Sequence, residues 1–243
     1  MKVTDKIIAK INRIGIGDVF GYDSLEINSD EIIAASKALS RLVEKGVVKR
    51  ARKGYYYKPK VTAFGELKPR EEVLFSIYLF EKKKQVAYVT GTGLYNRLGL
   101  TTQVPNSIRI ASFDKQVKGK VGNVIVKPAK SYVKVTADNI KYLEILDVIK
   151  DFNKIPDLNK SNGIVYLKKV LSDFDNLQIK KMVTYGMAYP PKVRALLGAL
   201  LETLNIDSNT YNVLKKSMNP SSSYRYGIYS QLLSTVTSWN ITK

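Results

Sequence analysis

The chain has 243 residues, of which 44% are hydrophobic and 25% are charged, an ordinary globular composition that argues against a disordered or fibrous protein. It contains no cysteine and no histidine, which excludes disulfides, thiolate chemistry and the commonest general base and metal ligand. Forty Lys and Arg residues against 21 Asp and Glu give a net charge of +19, which favours binding of a polyanion over catalysis. We therefore expect a protein that is not an enzyme and that uses no cofactor and no metal.

The N-terminal segment has the periodicity of an amphipathic helix. Ile7, Ile11 and Ile14 recur at helical spacing, with lysines between them, and Gly15 follows where a helix would stop. The segment is interrupted by charges throughout and lacks the apolar core of a signal peptide. Because no apolar stretch approaches the roughly 20 residues that span a bilayer, we expect a soluble cytoplasmic protein without a membrane partner.

A second helix is predicted shortly afterwards. Ser29 is the expected N-cap, and Gly46 stands where a helix ends in the left-handed conformation. The predicted buried stripe consists of Ile32, Ala35, Leu39, Leu42 and Val43.

A basic hairpin is predicted after this helix. Val47-Val48 is typical of a short strand, residues 49–54 of a basic turn and Tyr55–Tyr57 of a returning strand, which Pro59 ends. A helix, a short helix, a long helix and a two-stranded hairpin form the order of a winged helix-turn-helix. We assign this domain to residues 1–62.

The predicted DNA-binding residues lie on the long helix, opposite its buried stripe, and along the hairpin. Between Lys45 and Lys60 the chain has seven basic residues and no acidic one. Such donors reach base edges and phosphates, although a solvated hairpin on a protein-binding domain is an alternative. The predicted residues are Ser36, Lys37, Ser40, Arg41, Lys45, Lys49, Arg50, Arg52, Lys53 and Tyr55.

The remainder is predicted to be a second domain, residues 70–243, after a linker at 65–69. A helix is expected over 71–83, and the later patterns indicate a small sheet followed by a helical C-terminal region, so the whole chain is of the α+β class. The predicted strands are 86–90, 107–111, 121–126 and 132–135, and the predicted helices are 139–150, 163–171, 177–185, 191–204 and 211–216. The last 25 or so residues, which contain the lone Trp239, receive no firm assignment.

Three short patterns resemble functional motifs. Gly91-Thr92-Gly93 follows a strand, but the third glycine of a dinucleotide-binding loop is replaced by Asn96. Asp173 and Asp175 have the spacing with which nucleotidyltransferases hold magnesium, although a polar turn is the favoured interpretation. Asp147 and Asp151 lie one helical turn apart and are expected at the surface.

Three stretches resemble a known family. SKALSRLVEKGVVKRARKGYYYKPKVTAFGEL (36–67), VAYVTGTGLYNRLGLTTQVPNSIRIA (86–111) and PPKVRALLGALLE (190–202) are similar to the AbiEi-type antitoxins of bacterial type IV toxin–antitoxin systems, in particular to a subgroup described as a domain of unknown function. The resemblance implies a winged helix that binds inverted repeats of double-stranded DNA in its own promoter, and a C-terminal domain that counteracts a nucleotidyltransferase-like toxin. It implies no catalytic residue.

Two further expectations accompany this interpretation. One winged helix reads few base pairs, so two copies are expected on the DNA. Lys192 and Arg194, expected to be exposed at a helix start, are candidate contacts to a toxin or to RNA.

Two alternative functions remain. The same basic surface suits folded RNA, since charge does not distinguish one polyanion from another. An enzyme acting on nucleotides through Asp173 and Asp175 is the less favoured alternative.

Overall fold

A computed structural model of the protein describes residues 3–63, 65–67, 69, 71–81, 84–121 and 124–242. The chain divides into two compact units, residues 1–84 with 121–123, and residues 85–120 with 124–243. The division falls after residue 84, later than the boundary between 62 and 70 expected from the sequence. Among the helices of the described residues, none is both long enough and apolar enough to cross a bilayer.

The first unit begins with two helices and a three-stranded sheet. Its elements are α1 (Val3–Arg13), β1 (Val19–Gly21), two 3-10 turns (Tyr22–Leu25 and Ser29–Glu31), α2 (Ile32–Glu44), β2 (Lys49–Arg52) and β3 (Tyr55–Tyr57). β3 lies between β1 and β2 and pairs antiparallel with both. β1 has only three residues, and its short apolar run carries too little periodicity to predict a strand.

The core of this unit lies between α1, α2 and the sheet. The buried side chains are Ile7, Ile11, Phe20, Leu25, Ala35, Ala38, Leu39, Leu42, Val48 and Tyr56. Ile32, predicted to be buried, is the first residue of α2 and is 43% exposed. The predicted N-cap Ser29 is also wrong: it lies in the 3-10 turn before α2, and Glu31 is the N-cap of α2. Asn28 caps the 3-10 turn, and its backbone N–H donates to the Glu31 carboxylate at 3.4 Å.

A second hairpin and a helix follow. β4 (Lys60–Thr62) pairs antiparallel with β5 (Gly65–Leu67), so the first part of the predicted 65–69 linker is a strand. α3 spans Glu71–Leu79, shorter than the predicted 71–83, and is followed by β6 (Phe80–Glu81) and β7 (Lys84–Gln85).

The second unit opens with a mixed sheet. Its elements are β8 (Ala87–Thr90), α4 (Thr92–Arg97), β9 (Ser107–Ser112), β10 (Gly119–Val121) and β11 (Val124–Lys130), in the strand order β10-β11-β9-β8. β8 is antiparallel to β9, whereas β11 is parallel to it.

The predicted strand at 132–135 is wrong. In this segment the Ser131 hydroxyl donates to the carbonyl of Val133 at 2.6 Å, and the Asn139 amide donates to the carbonyl of Lys134 at 2.8 Å. Nearby side chains thus satisfy the backbone groups that a neighbouring strand would otherwise bind.

Five helices follow, close to the predicted bounds. They are α5 (Ile140–Asp151), α6 (Lys160–Ser172), α7 (Asn176–Gly186), α8 (Pro191–Thr203) and α9 (Ser208–Lys216). Asp175 is the N-cap of α7, where its carboxylate accepts from the Gln178 N–H at 2.8 Å. The interpretation of Asp175 as part of a polar turn is therefore confirmed.

The C-terminal residues pack onto this helical region. β12 (Tyr224–Arg225) runs parallel to β13 (Ile241–Thr242), and Trp239 is fully buried, with its indole N–H donating to Glu202 at 2.5 Å. The two units together contain helices and several small sheets, so the α+β class is confirmed.

Candidate nucleic-acid interface

One side of α2 carries a row of cations. Lys37, Arg41 and Lys45 are exposed and lie four residues apart, so they share one face of the helix. Ser36 and Ser40 are half-buried beside this row. Within the described part of the chain, no side chain forms an ion pair or hydrogen bond with the three cations.

An exposed isoleucine extends the row toward the start of α2. Ile33 lies four residues before Lys37 and is 73% exposed. Ile33 is not among the predicted interface residues, because an isoleucine next to a predicted buried stripe is most simply assigned to the core. Its spacing of four residues from Lys37 indicates instead that it lies on the charged face of the helix.

The hairpin is formed differently from the prediction. Residues 49–52 belong to strand β2, and the turn consists only of Lys53 and Gly54, whose φ of +80° suits glycine. The strand accommodates its arginines because their long side chains lie along aromatic rings. The Arg50 guanidinium carbon is 5.7 Å from the centre of the Tyr56 ring.

Arg52 is held between two aromatic rings. Its guanidinium carbon lies 4.7 Å from the Tyr55 ring centre and 4.6 Å from that of Tyr78, a residue of α3. Arg52 and Tyr55 therefore attach the hairpin to α3, and Arg52 is less available to an external partner than the sequence predicted.

Lys49 is already paired. Its ammonium group lies 2.6 Å from the Glu66 carboxylate, which raises the pKa of Lys49 above its usual value. We define the basic surface by Lys37, Arg41 and Lys45 of α2 together with Arg50 and Lys53 of the hairpin. None of these five cations has a carboxylate partner among the described residues.

Arg194 of the second unit does not have its predicted exposed position. It is half-buried, and its guanidinium donates to the Ser217 carbonyl at 3.0 Å and to the Tyr189 carbonyl at 3.1 Å. These bonds join α8 to the end of α9 and give Arg194 a structural role. Lys192 is half-buried as well and lines a cavity.

The expectation that Asp147 and Asp151 lie at the surface is wrong. Asp147 is fully buried and accepts hydrogen bonds from Tyr88 at 2.9 Å, Thr90 at 2.6 Å and Lys150 at 2.5 Å. Asp151 accepts from the Tyr95 hydroxyl at 2.8 Å. Burial raises the pKa of both Tyr88 and Tyr95, so both remain neutral donors.

The alternation of polar side chains along β8 indicates a buried hydrogen-bond network. Tyr88 and Thr90 alternate along β8, so both side chains point to the same face of the sheet. Each of the two hydroxyl groups therefore needs a polar partner on the element that packs against this face of the sheet. Their partner is more than 50 residues away in the chain, so the sequence did not identify it.

Comparisons with known proteins add a family and a fold. The chain matches none of the curated proteins. It is similar in structure to the RV2827C protein from Mycobacterium tuberculosis, known from a crystal structure, with a TM-score of 0.52 and 10% sequence identity over 99% of this chain and 91% of that one. At this identity the similarity concerns the fold alone. Residues 6–154, more than half of the chain, match the model of a family of unknown function, DUF6088, and the protein belongs to that family.

Proposed function

We propose that the first unit is a winged helix that binds double-stranded DNA, with α2 in the major groove and the β2–β3 hairpin along the phosphates. The observation that carries this proposal is the row of cations on α2, together with Arg50 and Lys53 of the hairpin, none of which has a carboxylate partner among the described residues. The order of helices and strands, with β3 between β1 and β2, supports it.

The dimensions of the row suit a major groove. At 1.5 Å of rise per residue, the eight steps from Lys37 to Lys45 span about 12 Å, close to the roughly 12 Å width of the groove. Arg41 then lies at the middle, where a guanidinium binds a guanine edge through two hydrogen bonds, and the two lysines lie toward the phosphates on either side. Ile33 offers an apolar contact to a thymine methyl group.

The proposed role is autoregulation in a toxin–antitoxin system. It is supported by the resemblance of residues 36–67, 86–111 and 190–202 to AbiEi-type antitoxins. We propose that two copies bind inverted repeats, whose centres are separated by a whole number of helical turns of about 34–36 Å each. In this proposal the second unit counteracts a nucleotidyltransferase-like toxin in the cytoplasm.

Co-expression of that toxin with the hairpin variant Arg50→Ala, Lys53→Ala tests the division of roles: growth is rescued if neutralisation is separate from DNA binding.

Sequence-resolved DNA binding tests the interface directly. A duplex selected from a random pool is titrated with the wild-type chain and with Arg41→Ala, and every base pair is varied in turn. We expect Arg41→Ala to lose about 1–3 kcal/mol of preference at one base pair, because one bidentate contact disappears. Lys181→Ala, an exposed lysine of α7, is the matched control. Equal displacement of the selected duplex by folded RNA would favour the RNA-binding alternative.

A further inference from the structure

A second concentration of positive charge lines a cavity of about 500 Å³ within the second unit. Its cations come from β9, the end of β11, α5, the turn after α5 and the first turn of α8. They are Arg109, Lys130, Lys150, Lys154 and Lys192, and Asp151 is the one acidic residue of the lining.

Most of these charges lack a counterion among the residues that the structure describes. Lys150 is bonded to Asp147, but no carboxylate of the described residues lies within ion-pair distance of Arg109, Lys130, Lys154 or Lys192. Exposed lysines commonly lack partners, so their number alone indicates little.

Lys192 distinguishes this cavity from an ordinary basic surface. Its side chain is half-buried, and burial followed by repulsion from Lys154 lowers its pKa below the usual lysine value. A desolvated ammonium group among like charges is unfavourable unless an anion binds it. The arrangement therefore favours a negatively charged ligand.

The surrounding packing holds the cations in place. The buried Asp147 fixes Lys150, whose partner carboxylate also binds Tyr88 and Thr90. Lys192 lies 5.6 Å from the centre of the Tyr226 ring. Such fixed groups need little ordering when a ligand binds.

Gly91 makes room for the arginine of this cavity. Its φ is +70°, and a Cβ added there would lie 2.9 Å from Cδ of Arg109. A larger residue would be strained and would displace the arginine.

We propose that this cavity binds a small phosphate-bearing ligand with at least two negative charges and the size of a mononucleotide. Phosphate carries up to two charges and three strong acceptors, which several converging cations satisfy better than a single carboxylate does. The volume falls within the roughly 300–1,000 Å³ typical of small-ligand sites. The proposal does not depend on DNA binding by the first unit.

Calorimetric titration of the full chain at constant ionic strength tests this proposal, with ATP, pyrophosphate and a 5′-phosphorylated dinucleotide beside its 5′-hydroxyl form. We expect Lys192→Met and Lys154→Met each to weaken binding about tenfold, the value of one charge-assisted contact. Lys181→Met, an exposed lysine outside the cavity, should leave it unchanged.

The ligand series separates the sources of the phosphate. Preference for ATP or pyrophosphate identifies a small free phosphate compound as the ligand. Preference for the 5′-phosphorylated dinucleotide over the hydroxyl form identifies a nucleic-acid end, and either result supports the site. Absence of binding at millimolar concentration, or an equal loss in Lys181→Met, overturns it. Because Lys154 is exposed, its substitution keeps the test valid should Lys192→Met fail to fold.

Discussion

Replacement of Asp147 by alanine tests the buried network that supports the second unit. The substitution removes the shared acceptor of Tyr88, Thr90 and Lys150. The first two donors are buried, and Lys150, which is largely buried, keeps only the Asp151 carboxylate at 3.9 Å. Removing one partner of a buried ion pair costs about 3–5 kcal/mol, because the remaining charge stays desolvated. For a unit of this size each kcal/mol lowers the melting temperature by about 2–4 °C, so the expected loss is about 6–20 °C.

The assays are guanidinium unfolding for the free energy and thermal unfolding for the melting temperature. Both are followed by the fluorescence of Trp239, the single tryptophan, which is buried in this unit. Asp147→Asn preserves the shape and one acceptor oxygen and should lie between the wild type and Asp147→Ala. Asp175→Ala, which removes an exposed helix cap, is the control, with an expected loss of about 1 kcal/mol. If Asp147→Ala costs no more than Asp175→Ala, the reasoning about the buried network is refuted.

Three further substitutions test separate parts of the account. Gly198→Ala would place a methyl group 2.0 Å from the Trp239 ring. The overpacking cost of about 1–3 kcal/mol should exceed the roughly 1 kcal/mol by which alanine favours a helix, so the free energy of unfolding should fall. Unchanged or increased stability in denaturant contradicts this expectation. Arg52→Ala removes contacts to two rings and should lower the free energy of unfolding by about 1–2 kcal/mol, whereas Lys53→Ala should leave it unchanged; equal stabilities of the two variants count against the packing role. The lowered pKa of Lys192 means that the unfolded chain binds more protons between that pKa and 10.5, so stability rises with pH across this window; Lys192→Met should remove that rise, and a difference from wild type that does not vary with pH argues against it.

Periodicity predicted the helices well, and local side-chain bonds explain where strands were misplaced. The isoleucines of α1 and the apolar runs of α5–α9 repeat at helical spacing, so the sequence alone locates them. Residues 132–135 alternate like a strand, yet Ser131 and Asn139 bind their backbone. The arginines of β2 suggested a turn, because the aromatic rings that they cover belong to other elements.

For the sites as well, the sequence predicts local arrangements but not contacts between distant residues. The cations of α2 lie within nine residues of one another, so helical geometry places them on one face from the sequence alone. The cavity instead assembles side chains from Arg109 to Lys192, and Asp147 meets donors 57 and 59 residues away. Such contacts depend on tertiary packing, which a local pattern does not encode.

The salt dependence of DNA affinity tests the central claim most directly. Arg41 is assigned to a base edge, so the four other cations of the basic surface predict that log K falls with log salt concentration at a slope of about −3.6, since each phosphate contact contributes about −0.9. The double variant Lys37→Ala, Lys45→Ala should reduce the steepness by about 1.8, whereas Lys181→Ala should not change it. Binding that is insensitive to salt, or a slope that the α2 substitutions leave unchanged, contradicts the assignment of the basic surface as the DNA interface.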